Sequence, residues 1–149
     1  MEIQTLLQRE NDRLKDYIVR SCNDLTDEQM RYGHEAVDER GIAGVVVHLY
    51  GSIARRAAAV VQAEPPQEPS DLPRTTADLL AYVDATHRHT AELITRITNE
   101  RLESTVVLRP GREMAGIEAM MQGFSHSGRH IGNILDIRHL GGFETHALG

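Results

Sequence analysis

Residues 41–62 read GIAGVVVHLYGSIARRAAAVVQ, and the fold class depends on how this segment is interpreted. Its run of β-branched residues also suits a buried strand, but the segment exceeds the length of a typical strand and its second half is rich in alanine. The larger apolar residues recur at helical spacing, so we predict a helix. A stripe of small residues that includes Gly44 and Ser52 flanks His48 and would let a neighbouring helix approach closely.

Upstream of this segment, apolar periodicity and a capping signal predict two further helices. Apolar positions recur at helical spacing over residues 2–22, with charged residues mostly between them. Thr26 and Gln29 match a capping box, which predicts a short helix that ends near Gly33. Residues 34–40 are then expected to form a loop.

Downstream, two long helices are expected, from residue 75 or 76 to 98 and from about 113 to 140. Residues 65–73 contain four of the five prolines, so this connector is extended and long enough to run the length of a bundle. Residues 99–111 form a second long connection, in which 104–108 could be locally extended. Connections this long indicate an all-α four-helix bundle with a crossover connection.

Composition excludes several classes of protein. Lys and Arg total 16 against 22 Asp and Glu, and this negative balance disfavours binding to nucleic acid or to an anionic membrane. Cys22 is the only cysteine, which excludes an intramolecular disulfide and a four-cysteine zinc site. No stretch approaches the ~20 apolar residues that span a bilayer, and the N-terminus does not resemble a signal peptide. We predict one cytoplasmic domain, residues 1–149.

Histidine is unusually abundant, with eight residues in a chain that has no tryptophan, two Phe and four Tyr. His126 and His130 are four residues apart on the predicted fourth helix, so they share one face and could chelate one metal ion. Gly123, Gly128 and Gly132 surround the pair. Each glycine destabilises a helix by about 1 kcal/mol relative to alanine. Their presence indicates close packing or access to a site.

A catalytic zinc site commonly has three protein ligands and an open position. His48 is the best candidate for the third ligand, although a histidine at that position could also be a hydrogen-bonded core residue. His87, on the apolar face of the third helix, is the alternative. The other four are predicted to be solvated: His34, His89, His139 and His146.

Other motifs fail on inspection. No carboxylate completes an HExxH zincin motif, and Glu-x-x-His does not occur on the predicted helices, which argues against a di-iron bundle. Arg55 and Arg56 are interpreted as surface charge, although Arg55 follows His48 by seven residues and could lie on its side of the helix.

The placing of these histidines resembles the DinB/YfiT-like superfamily. The resemblance is carried by residues 42–50, IAGVVVHLY, and 124–135, FSHSGRHIGNIL. It implies a four-helix bundle, often a homodimer, that binds a divalent metal such as zinc or nickel through three histidines. By this resemblance the ligands are His48, His126 and His130. Family members commonly open the second helix with Trp and then Ser or Thr, whereas Arg40 and Gly41 stand here, so that helix start is expected to be less tightly fixed.

Relatives in this superfamily include thiol-dependent S-transferases and a mycothiol-dependent isomerase. The leading hypothesis is therefore a metal-dependent S-transferase that joins a low-molecular-weight thiol to a small electrophile, since metal coordination deprotonates a thiol. One alternative is a hydrolase using metal-bound water, with Glu35, Asp38 or Glu39 as base. The other is a stress-related, metal-binding dimer without catalysis. Cys22 falls on the buried face of the first helix and is not expected to be a nucleophile.

Overall fold

The computed structural model describes residues 2–143, which form six helices and one β-hairpin. Four long helices dominate, as predicted. The elements in chain order are α1 (Ile3–Cys22), α2 (Asp27–Arg31), α3 (Gly41–Val60), α4 (Thr76–Thr95), α5 (Asn99–Glu103), β1 (Thr105–Arg109), β2 (Arg112–Ala115) and α6 (Gly116–Leu140).

Helix α3 is the central element of the bundle. Sixteen of its twenty residues are buried, which explains why its sequence lacks a broad polar face and carries valines that would also suit a strand. The half-buried residues share one narrow face: His48, Ser52, Arg55 and Ala59. It packs against both α4 and α6, while α1 packs against those same two helices on the far side. The bundle order is therefore α1, α4, α3, α6, and each helix pair α1/α3 and α4/α6 lies across a diagonal.

The proline-rich connector makes the crossover that the sequence predicts. Glu68 pairs with Arg55 and lies near Gly51, midway along α3. Further along the connector, the Arg74 carbonyl accepts a hydrogen bond from Arg31, the last residue of α2, which lies beside Gly41 at the start of α3. The connector thus runs back along α3 from its last turn to its first. Helix α4 begins there, so α3 and α4 are parallel neighbours.

The short helix and the start of α3 are fixed by local hydrogen bonds. In α2 the amide of Gln29 donates to Thr26 Oγ1 at 3.2 Å and the Gln29 side chain accepts from the Thr26 amide, which confirms the capping box. Gly41 has φ +79°, and a Cβ there would lie 2.6 Å from the Arg31 carbonyl oxygen. Arg40 is held by Asp38 through its amide and guanidinium. The N-cap residue of α3, Arg40, receives no side-chain cap, so the start of the helix is held by these contacts of Asp38 and by Gly41.

The hairpin corrects the predicted connection after the third helix. Strand β1 pairs antiparallel with β2, and Thr105 faces Ala115 in the register. The prediction of an extended segment over 104–108 was correct. The prediction that the fourth helix starts near 113 was wrong, because residues 112–115 form β2. The third helix ends at Thr95 rather than 98, since Thr98 caps α5 by accepting a hydrogen bond from the Arg101 amide.

A buried ion pair ties the end of α6 to the segment after α1. The Arg138 side chain is 2% exposed. Its two terminal nitrogens donate to the two carboxylate oxygens of Asp24 at 2.8 and 2.7 Å, and Nη1 also donates to the Ser21 carbonyl. Within residues 2–143, every helix is too short or too polar to cross a bilayer.

Candidate metal centre

Helices α3 and α6 carry the three predicted ligands and are held close together beside them. A Cβ at Gly123 would lie 2.7 Å from the Arg56 side chain and 2.9 Å from that of Ile53, so a larger residue there would displace these side chains of α3. Ser127 is fully buried and its hydroxyl donates to the Gly123 carbonyl at 2.9 Å, with the Leu49 carbonyl 3.4 Å away. Close packing therefore comes from α6. The small-residue stripe of α3 was expected to provide it, but a Cβ at Gly44 would meet only Arg40, just before the helix.

The other two glycines near the histidines have a different role. Nothing lies within 4 Å of the position that a Cβ would take at Gly128 or Gly132. Of the three glycines on which the sequence argument relied, Gly123 therefore allows packing, and the other two face open space.

The structure brings the side chains of His48, His126 and His130 together. One nitrogen from each ring lies within 4.8 Å of the other two, and the Nε2 atoms of His126 and His130 are 3.0 Å apart. The His48 ring centroid is 5.4 and 4.8 Å from those of His126 and His130. Nitrogens bound to one tetrahedral zinc ion are about 3.4 Å apart. The spacing of the cluster therefore fits a single ion after small side-chain rotations.

The surroundings of the cluster keep all three imidazoles neutral. Burial is the main cause that lowers the pKa of His48, with the charges of Arg40 and Arg55 adding to it. Burial and then the neighbouring His48 lower the pKa of His126. For His130, burial followed by the charges of His126 and His48 lowers the pKa to about 4. Neutral imidazole is the form that binds a metal ion, so the cluster is in the ligating protonation state at neutral pH.

One outer contact orients His130, and one nitrogen of His126 lacks a contact. The amide nitrogen of Asn133, Nδ2, lies 3.2 Å from His130 Nδ1, and rotating the amide by 180° would place its oxygen there instead, so Asn133 can serve either tautomer of the ring. If Nε2 of His130 binds a metal, Nδ1 carries the proton and donates to the Asn133 oxygen. Nδ1 of His126 is buried and has no hydrogen-bond partner within residues 2–143. No hydrogen bond from the described residues therefore fixes the tautomer of His126, and its Nε2 is the nitrogen that faces His130.

His87, the alternative third ligand, lies elsewhere. Its Nε2 is 2.7 Å from Asp12 Oδ1 across the α1–α4 interface, and its ring is 17% exposed. It is not part of the three-histidine group found in the described chain. The hydrogen-bonded, largely buried histidine expected from the apolar face of α4 is what the structure contains, with a carboxylate as the partner.

The histidines predicted to be solvated differ in their exposure to solvent. His139 is exposed at the end of α6. His34 is only half-buried, with Nδ1 accepting from the Ala36 amide at 3.1 Å. The prediction was wrong for His89, which is half-buried and whose Nε2 is out of contact with solvent. His146 lies outside the described residues.

A cavity of about 860 Å³ opens beside the cluster and is lined by His48 and His126 among others. Five arginines also line it, and sequence reasoning missed this grouping: Arg55, Arg56, Arg109, Arg112 and Arg129. Arg55 lies on the His48 side of α3, as its spacing suggested. The interpretation of Arg56 as surface charge was wrong, because it is 8% exposed and its Nη1 donates to the Ala119 carbonyl at 3.0 Å.

The carboxylates considered as general bases are poorly suited to that role. Asp38 accepts three hydrogen bonds from Arg40, and this contact is the main reason that its pKa lies below the usual range. Glu35 and Glu39 are exposed, and neither lines the cavity. Indeed, every described residue that lines the cavity is something other than Asp or Glu.

The fold and the site define a class of protein: a helical bundle with a crossover connection and a candidate three-histidine metal site. Comparison with known proteins defines the family. A family model described as the DinB superfamily matches residues 10–134. The chain therefore belongs to the DinB superfamily, as its histidine pattern indicated. None of the curated proteins matches the sequence significantly.

Several solved structures share the fold of this chain at low sequence identity. A DinB-like protein of Bacillus subtilis has a TM-score of 0.75 at 16% identity, covering 95% of this chain and 96% of that one. A DinB-like protein of Bacillus cereus has a TM-score of 0.74 at 14% identity, with coverage of 94% and 91%. YfiT of Bacillus subtilis has a TM-score of 0.68 at 14% identity, with coverage of 97% and 91%. YfiT is described as a probable metal-dependent hydrolase with an unusual four-helix bundle topology.

Proposed function

We propose that this chain is a metal-dependent enzyme acting on small molecules, with a divalent zinc or nickel ion bound by His48, His126 and His130. The observation that supports this most directly is the cluster itself, in which three neutral imidazoles converge at the edge of a cavity. Structural zinc sites use four protein ligands, whereas three leave a position open for a substrate. When bound, the ion supplies Lewis-acid chemistry that acidifies a coordinating thiol or water.

We favour a low-molecular-weight thiol as the nucleophile and thus a thiol-dependent S-transferase acting on small electrophiles. A thiol bound at the site would release its proton to solvent before it attacks, so this reaction does not require a carboxylate base, and Asp38 is occupied by Arg40. Cys22 does not compete as a nucleophile, because burial raises its pKa to about 12. The chain's own contribution is to keep three imidazoles neutral and to orient them through Asn133 and the packing at Gly123.

A hydrolase is the second candidate, supported by the description of YfiT as a probable metal-dependent hydrolase. In that reaction water replaces the thiol as nucleophile, and a proton acceptor other than Asp38 is required. The third candidate is a stress-related bundle that binds metal without catalysing a reaction.

Turnover by the metal-loaded protein separates these candidates. Zinc-loaded and nickel-loaded samples are assayed with a panel of thiols against halogenated and α,β-unsaturated electrophiles, and with ester and amide substrates lacking a thiol. Consumption that requires both a thiol and His130 supports the transferase. Hydrolysis without a thiol supports the second candidate. Full metal content without turnover in either panel contradicts both enzymatic proposals. The His130→Ala variant is the control for reactions that free metal catalyses.

We also propose that the protein is a homodimer, as is common in the superfamily. A closed two-fold dimer is the most frequent symmetric assembly of soluble proteins. Light scattering at micromolar concentration then gives twice the chain mass of 16.6 kDa. A mass equal to one chain contradicts the dimer without affecting the metal site.

A further inference from the structure

We propose that the cavity beside the histidine cluster binds a small organic oxyanion, a carboxylate or phosphate carried on an apolar body. This inference names the substrate class of the proposed enzyme and in that sense rests on the proposed function. Its physical basis is independent of the metal, because it depends on arginines that lie outside the three-histidine group.

The cavity concentrates positive charge in a protein of formal net charge −6. Five of its fifteen arginines line this one space, contributed by α3, the hairpin and α6. Within residues 2–143 only Arg55 of these five has a carboxylate partner, Glu68. The other four form no ion pair within residues 2–143: Arg109 and Arg129 are exposed, Arg112 is half-buried and Arg56 is buried. An anion would supply the missing charge.

Arg56 is the buried part of this site. Its guanidinium donates through Nη1 to the Ala119 carbonyl at 3.0 Å and contacts Ser52 Oγ at 3.5 Å, both neutral acceptors. Guanidinium has five N–H donors, so these contacts do not exhaust its capacity. Burial, followed by the charges of Arg112 and Arg55, lowers its pKa. A buried cation among other cations is destabilising unless a counter-charge is present, and a bound oxyanion provides one.

The position of the charges relates the anion to the histidine cluster. Arg129 follows His126 by three residues on α6, and Arg56 donates to the Ala119 carbonyl of the same helix. His48 and His126 line the same cavity as these arginines. Arginine binds carboxylate and phosphate through paired, planar hydrogen bonds. An oxyanion held there would fix the ligand's orientation while another part of the same molecule reaches the histidines.

The remaining wall of the cavity is apolar and indicates the body of the ligand. Ala59, Ala63, Pro65, Val107 and Leu108 contribute to the lining. A volume of about 860 Å³ lies within the range of small-molecule sites and is too small for a folded macromolecular partner. An aliphatic or aromatic acid matches this combination of apolar wall and arginine cluster.

Calorimetric titration of the full-length protein tests this inference. The probes are hexanoate, inorganic phosphate and, as an uncharged match for the first, hexanamide. Each is titrated into the protein as purified and after treatment with a chelator. The variants are Arg112→Gln and Arg129→Gln, and the matched control is Arg96→Gln, an exposed arginine at the end of α4. Circular dichroism checks that each variant folds.

We expect saturable binding of at least one oxyanion at one site per chain, persisting after chelation, and much weaker binding of hexanamide. Each cavity variant should weaken that binding about tenfold, the usual loss for a charge-assisted hydrogen bond, while Arg96→Gln leaves it unchanged. The tighter of the two oxyanions identifies whether carboxylate or phosphate is preferred.

Three results would overturn the inference: no saturable binding of either oxyanion, equal affinity in all variants, or binding that disappears with the metal and ignores the arginines. Metal content is measured on the same samples. Oxyanion binding without any metal binding would support this site and contradict the proposed enzyme, so the two failures are distinguishable.

Discussion

Histidines on two sides of the bundle are held in different ways. On the α1 side of α4, His87 pairs with the Asp12 carboxylate at 2.7 Å. Between α3 and α6, the three cluster histidines contact one another and Asn133, and among the described residues no carboxylate hydrogen-bonds any of them. A carboxylate stabilises the protonated imidazolium, whereas neighbouring imidazoles and arginines oppose protonation. The neighbours of a histidine, together with its burial, therefore indicate whether it is suited to bind metal.

The largest effect is expected when one histidine on each side of the bundle is replaced and the two variants are compared. His48→Ala should lower divalent-metal affinity by more than about 100-fold. Removing a ligand weakens metal binding more than removing a residue that only hydrogen-bonds to a ligand, which lowers affinity by about 10- to 100-fold. His87→Ala should leave metal affinity unchanged. Metal titration with a competing chelator measures both, and circular dichroism checks that the bundle remains helical. If His87→Ala loses the metal and His48→Ala keeps it, the third ligand has been assigned to the wrong helix.

A smaller effect is expected from the contact that orients His130. Asn133→Ala should weaken metal binding about tenfold, since outer hydrogen bonds fix the tautomer and direction of a ligating ring. Asn133→Asp keeps an acceptor for Nδ1 and should restore most of the affinity. Equal affinity in wild type and Asn133→Ala would mean that Asn133 does not position this ligand.

The protonation of the cluster should be visible in the stability of metal-free protein. Because the pKa of His130 lies at about 4 in the folded chain, against 6.5 for an ordinary histidine, the unfolded chain binds more protons between these values. The contribution of His130 is full above pH 6.5 and is lost as pH falls toward 4. Relative to His130→Gln, the wild type should therefore lose stability by at most about 1.4 kcal/mol per pH unit.

Urea unfolding of both proteins between pH 7 and pH 4.5 measures the difference in their free energies of unfolding. The carboxylates are the same in both proteins, so their contribution cancels in this difference. A constant difference across that range would contradict the neutral cluster.

The smallest effect is expected on the other side of the comparison. His87→Ala should lower the free energy of unfolding by about 1 kcal/mol, the usual contribution of one hydrogen bond. The Asp12 side chain is 67% exposed, so the coupling between the two residues should be at most about 1 kcal/mol in a double-mutant cycle with Asp12→Ala. Coupling near zero would mean that burial alone holds His87 in place.

Much of the fold follows from the sequence because long helices carry repeated local signals. The capping box at Thr26 and the prolines of the connector determine their segments through backbone chemistry alone. The hairpin was only half predicted. Glu113, Met114 and Ala115 suit a helix locally, and their strand conformation depends on pairing with β1 across a turn at Pro110 and Gly111.

In the candidate site, too, the features set by local sequence were predicted and those set by the tertiary fold were not. His126 and His130 share a face by spacing alone, and the small-residue stripe singled out His48. The arginine grouping was missed because its members come from three elements that only the tertiary fold brings together. The adjacent Arg55 and Arg56 were the available signal. Nothing local distinguishes a buried arginine such as Arg56 from a solvated one.

Elemental analysis of purified protein tests the central claim most directly. We expect close to one divalent metal ion per chain in the wild type, and close to none in His126→Ala and in His130→Ala, with His87→Ala retaining the wild-type content. Wild-type metal content in both His126→Ala and His130→Ala would contradict the claim that these side chains hold the ion.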